Sequence, residues 1–111
     1  MIKAGKVVAG TWRITGMEAW DAEYFDMEVP AYITICDDLT GRFQFGLVRG
    51  DLDARVSIVD GATRVAFSWA GFDENDPVNG RGDMAVTGDR AEGMIFIHLG
   101  DDSGFTAERQ V

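Results

Sequence analysis

The sequence predicts an all-β fold: an antiparallel up-and-down meander of about eight strands forming a small barrel, with one short helix after the first strand. Turn-forming clusters recur about every ten residues, as DDLTG at 37–41, RGD at 49–51, VDGA at 59–62, VNGRG at 78–82, TGD at 87–89 and GDDSG at 100–104. Between them, apolar and polar residues alternate with a period of two, the mark of a strand that buries one face. Fourteen glycines and only two prolines serve the turns without breaking the strands.

The strands are expected at 6–15, 31–37, 42–49, 52–59, 63–71, 82–88, 93–99 and 105–110. Phe43, Phe45 and Leu47 alternate with Arg42, Gln44 and Gly46. Leu52, Ala54, Val56 and Ile58 alternate with Asp53, Arg55 and Ser57, and Val65, Phe67 and Trp69 with Arg64, Ala66 and Ser68. The segment GMEAWDAEYFDMEVP does not alternate. Its Met17, Trp20, Tyr24 and Met27 fall at helical spacing, and Pro30 closes it. The helix is expected to lie across the sheet or over one barrel end. Eight strands enclose an interior just wide enough to be filled by side chains or to hold one small ligand. Closure also removes sheet edges that template aggregation, which favours a barrel over an open sheet, with a sandwich as the alternative.

A chain of 111 residues reads as a single domain, 1–111. Its 46% hydrophobic and 26% charged content is that of a folded, soluble protein. No apolar run approaches the roughly 20 residues of a membrane span, and MIKAGKVVAGTW lacks the apolar stretch of a secretory signal. The lone Cys36 cannot form an internal disulfide, which fits a reducing compartment, so the expected location is cytoplasmic. The net charge of −9, with ten Lys and Arg scattered among 19 carboxylates, argues against nucleic-acid or anionic-membrane partners.

Several residues carry chemistry by type. His98 precedes Asp101, Asp102 and Ser103, but one histidine and Cys36 do not make a zinc site, and Gly100–Gly104 has turn composition. Asp73, Glu74, Asp76 and Asp83 form an acidic cluster, yet the sixth position of an EF-hand loop counted from Asp73 is Val78, where glycine is required. Cys36 has only His98 as a prospective base, and no glycine-rich phosphate cradle precedes a helix. The expectation is a non-catalytic protein, with no catalytic residue, metal site or cofactor.

Gly10-Thr11-Trp12 resembles the GxW signature of the calycin superfamily, which includes lipocalins and fatty-acid-binding proteins. The resemblance implies that Trp12 closes one end of the barrel and that an arginine near the chain's end, here Arg109, packs across its indole. The helix after the first strand is similar to the lid of fatty-acid-binding proteins. Separately, GTWRITGMEAWD, FSWAGFDENDPVNGRGD and FIHLGDDSGF resemble a family of small bacterial proteins with no assigned activity, implying a single-domain, bacterial, cytoplasmic protein.

Two functional expectations follow. The first is a binding module that holds a small apolar or amphipathic ligand in the barrel, lined by Trp12, Phe43, Phe45, Phe67, Trp69 and Arg109, with Arg13 and Tyr32 as further polar groups. The second is an interaction or structural module that works through its surface as a homodimer. In that reading Met94, Phe96 and His98, opposite the aliphatic Ile95, Ile97 and Leu99, form the interface.

Overall fold

The computed structural model describes residues 7–110. Its elements are β1 (Gly10–Met17), α1 (Ala22–Phe25), β2 (Tyr32–Ile35), β3 (Thr40–Phe45), β4 (Val48–Val59), β5 (Ala62–Asp73), β6 (Asp76–Thr87), β7 (Arg90–Ile97) and β8 (Asp102–Arg109). The eight strands pair in sequence order and β8 closes on β1, giving a closed antiparallel barrel. The expected meander, closure and short helix are all present. The first expected strand began at residue 6, which lies outside the described residues.

The strand boundaries differ from expectation where glycines were read as turns. RGD at 49–51 lies inside β4, and VNGRG at 78–82 lies inside β6. Four of the connections are instead two-residue turns. Gly46 opens one at φ 56°, Asp60 and Gly61 form another at φ 51° and 81°, and Glu74 begins the third at φ 57°. The fourth starts at Gly88, φ 61°. At the β2–β3 turn Asp38 accepts bonds from the amide and hydroxyl of Thr40, at 3.0 and 2.6 Å.

The strand glycines shape the interior. A Cβ at Gly50 would lie 2.7 Å from Trp69 Cε3 and 3.0 Å from Phe43, and one at Gly82 would collide with the Phe67 ring. Large rings on some strands are therefore seated against bare backbone on their neighbours. Phe43 meets Trp69 edge-on with ring centroids 4.9 Å apart. The same faces bury Ile14, Ile33, Ile35, Val48, Leu52, Val65, Met84, Ile95 and Phe105.

The two ends close differently. At the end where β1 begins, Trp12 is 0% exposed and its Nε1 donates to Val8 O at 2.9 Å. The Arg109 guanidinium lies 4.4 Å from the Trp12 ring centroid. Gly10 sits at φ 128°, a conformation glycine adopts without strain. The opposite end is covered by the β1–β2 connection. Trp20 packs on Phe45 and Tyr24, the Phe25 side chain is buried, and Phe25 O accepts from Gly46 N at 2.9 Å.

The helix is only one turn long. Met17 belongs to β1, Glu18 N and Ala19 N are tied to Gly104 O and Ser103 Oγ of β8, and the chain bends through residues 18–20 before Asp21 caps α1.

Candidate functional site

The residues expected to line a cavity occupy the barrel interior as a packed core. Trp12, Phe43, Phe45, Phe67 and Trp69 are each at most 4% exposed. Trp12 and Arg109 meet at one end, while Phe43, Phe45 and Trp69 cluster toward the other. None of the pockets found among the described residues is an enclosed chamber bounded by this set. The Trp69 indole N–H is buried without a protein partner.

Two of the expected polar groups point elsewhere. Arg13 sits on the outer face and holds Asp26 through two bonds of 2.9 Å, latching the end of α1 to β1. That hydrogen bond holds the Asp26 carboxyl below its usual range, helped by the Ala31 amide and opposed by burial. Tyr32 also faces outward, opposite Gln44. The reason is the pleat: Tyr32 and Thr34 alternate with the buried Ile33 and Ile35.

The largest pocket described lies on the barrel's outer wall. It is an open groove of ≈ 590 Å³ running across β2 to β6. Two cross-strand rows build it. Tyr32, Gln44, Arg49, Phe72 and Pro77 lie opposite one another from strand to strand, and Arg42, Asp51, Ala70 and Asn79 form the adjacent row. The backbone of Gly50 and Gly71 lines the floor between them. Phe72 is 43% exposed, and the Arg49 guanidinium stands 5.7 Å from its ring centroid. Among the described residues Arg13, Arg55, Arg90 and Arg109 are ion-paired, whereas Arg42, Arg49, Arg64 and Arg81 have no carboxylate within 4.0 Å, and the first two of these lie in the groove. The groove therefore presents two uncommitted guanidiniums, two aromatic rings and one carboxylate, Asp51.

Of these, the sequence points to Tyr32, as an interior polar group. Alternation shows Arg42, Gln44 and Arg49 facing solvent. Only the strand register shows that they converge with Phe72 and Pro77.

The acidic and histidine-containing motifs are dispersed. Asp73 and Asp76 face each other across the β5–β6 turn, but Asp83 lies seven residues along β6, about 23 Å away at strand rise. No group of three or more His, Cys, Asp or Glu that could hold a metal ion gathers among the described residues. Cys36 follows β2 at the Trp12 end, whereas His98 follows β7 at the helix-covered end. They are too far apart to form a nucleophile–base pair.

β7 ends at Ile97, so His98 and Leu99, expected on the strand, lie in the turn that follows; both are exposed, Leu99 rather than packing with Ile95 and Ile97. The His98 amide donates to Asn79 O at 2.7 Å. The turn at this end spans residues 98–101, closed by Gly100 N to Ile97 O and Ile97 N to Asp101 O. Asp102 and Ser103 belong to β8 rather than to the turn. Ser103 Oγ is buried and bridges to the β1–β2 connection, which explains a polar residue in the core.

Among the described residues no helix is long and apolar enough to cross a membrane. No protein-family model, curated protein or solved structure matches the chain.

Proposed function

We propose that the protein is a non-catalytic binding module and that its small amphipathic ligand docks in the outer groove across β2–β6 rather than inside the barrel. The observation that carries this reading is the groove itself: Tyr32 and Phe72 flank Arg42 and Arg49, guanidiniums that have no carboxylate of the described chain within 4.0 Å. Small-molecule sites combine apolar walls with a few convergent polar groups. The tightly packed interior supports placing the ligand outside. Kinship with the calycins, a bacterial origin and a cytoplasmic location belong to the same proposal. The support for the calycin kinship is Gly10-Thr11-Trp12 with Arg109 over the indole in a closed eight-stranded barrel.

The test compares native and denatured masses of the gently purified protein and its Tyr32→Ala/Phe72→Ala variant. A non-covalent adduct on the wild type that the variant loses is the expected result. An adduct retained by the variant would place the ligand elsewhere and sink the reading. A second reading, a homodimer through Met94, Phe96 and His98, rests on Phe96, which is 36% exposed on the outer wall. It expects a dimer that Phe96→Asp dissociates.

A further inference from the structure

We infer that the ligand of this groove is an aromatic monoanion, a flat ring system carrying one oxyanion such as a carboxylate or sulfonate. The inference rests on the groove reading above and adds the chemical class of the ligand.

Charge is the first argument. The chain has a net charge of −9, so an anion is repelled from most of its surface. The groove departs from that background: Arg42 and Arg49 against Asp51 leave one net positive charge. A single anionic group balances it. A dianion would add repulsion from Asp51, which sits opposite Arg42 in the β3–β4 register.

Geometry is the second. Arg49 lies opposite Gln44, and Arg42 is two residues before Gln44 on the same face of β3. The two arginines are therefore diagonal neighbours, with backbones about 7–8 Å apart. Arginine side chains are long enough to turn toward one anion from that separation, and each guanidinium offers donors in the forked geometry that suits carboxylates and sulfonates.

Shape is the third. Ala70 and the backbone of Gly50 and Gly71 line the floor, and the row that borders it carries Tyr32 on β2 and Phe72 on β5. Rings lying on that floor gain offset or edge contacts with such side chains. The Arg49–Phe72 contact at 5.7 Å already holds that guanidinium beside an aromatic face. A ligand ring next to Phe72 thus places its oxyanion toward Arg49 and Arg42.

The test uses two fluorescent probes on the full chain: 1-anilinonaphthalene-8-sulfonate and N-phenyl-1-naphthylamine, which shares its rings but lacks the sulfonate. Amide chemical shifts record where each binds. The sulfonate should shift the amides of Tyr32, Arg49, Ala70 and Asn79 and bind about tenfold or more tighter than the neutral probe, the scale of one charge-assisted contact. In Arg42→Met/Arg49→Met, whose thermal midpoint and circular dichroism should match the wild type, the sulfonate should fall to the neutral probe's affinity.

Equal affinity of both probes at the groove would overturn the anionic inference and leave the groove reading intact. Equal shifts of the groove amides by decanoate would overturn the aromatic part alone. If neither probe moves the groove amides, or both move only residues around Phe43, Phe45 and Trp69, the groove reading fails together with this inference.

Discussion

The seam between β8 and β1 is held by Arg109, and replacing it measures how much that seam contributes. In Arg109→Met the aliphatic stem that covers Trp12 is kept and the guanidinium is lost. Three interactions go with it. The first is the cation–π contact at 4.4 Å, worth about 1 kcal/mol for a guanidinium partly shielded from water. The second is the pair of bonds to Ala9 O and Val7 O, at 2.6 and 2.7 Å, about 1 kcal/mol each. The third is the contact with Asp89 at 3.1 Å, whose carboxylate side chain is 83% exposed and adds under about 0.5 kcal/mol. Water recovers part of the carbonyl bonding in the variant, so the expected loss is about 2–3 kcal/mol, or about 10–20 °C in midpoint for a domain this size. Urea unfolding and a thermal scan at neutral pH measure it, with Asp89→Asn as the control expected to lose under about 0.5 kcal/mol. A loss below about 1 kcal/mol in Arg109→Met, or an equal loss in Asp89→Asn, would refute the assignment of the seam to the Trp12 stack and the two carbonyls.

Three further outcomes are expected. Gly50→Ala places a Cβ 2.7 Å from Trp69 Cε3 and should cost about 1–3 kcal/mol by overpacking, read from urea unfolding; a neutral result would mean the interior yields freely. Trp69→Phe removes a buried N–H that has no protein partner and should cost less than Trp12→Phe, which forfeits the bond to Val8 O and weakens the Arg109 stack; the reverse ranking in parallel thermal scans would contradict this. Asp26 is depressed below the usual carboxylate range by Arg13, so its contribution is present above about pH 4 and is lost as pH falls through the lowered folded value. In Asp26→Asn that part of the acid destabilisation should vanish, and an acid-unfolding profile parallel to the wild type would show that the latch does not matter.

The fold was legible because alternation is a local signal. Val65, Phe67 and Trp69 declare their inner face within five residues of chain, and the buried positions of β5 are those three. The strand ends were harder to read, because glycine has two roles with one spelling. In Gly61 and Gly88 it supplies the positive φ of a hairpin, whereas in Gly50, Gly80 and Gly82 it yields volume to Phe43, Trp69 and Phe67 on neighbouring strands. Nothing within the stretch VNGRG separates these roles, because the ring that needs the space sits on another strand. Glu74, meanwhile, takes a positive φ that its side chain gives no reason to expect, so the β5–β6 turn fell several residues too late.

That displacement is also why the groove could not be read from the sequence. With β6 starting at 82, Pro77 and Asn79 belong to a solvated loop. With β6 starting at Asp76, the same residues stand opposite Phe72 and Ala70 and become the groove's wall. The other side depends equally on a turn. Gly46 at φ 56° sets β3 against β4 so that Gln44 meets Arg49 and Arg42 meets Asp51. A one-residue slip there would send Arg49 to the opposite face and leave Phe72 without its cation. The core faces are dictated strand by strand. The outer groove is a product of successive hairpin registers, so any ligand it selects is selected by the turns as much as by the arginines.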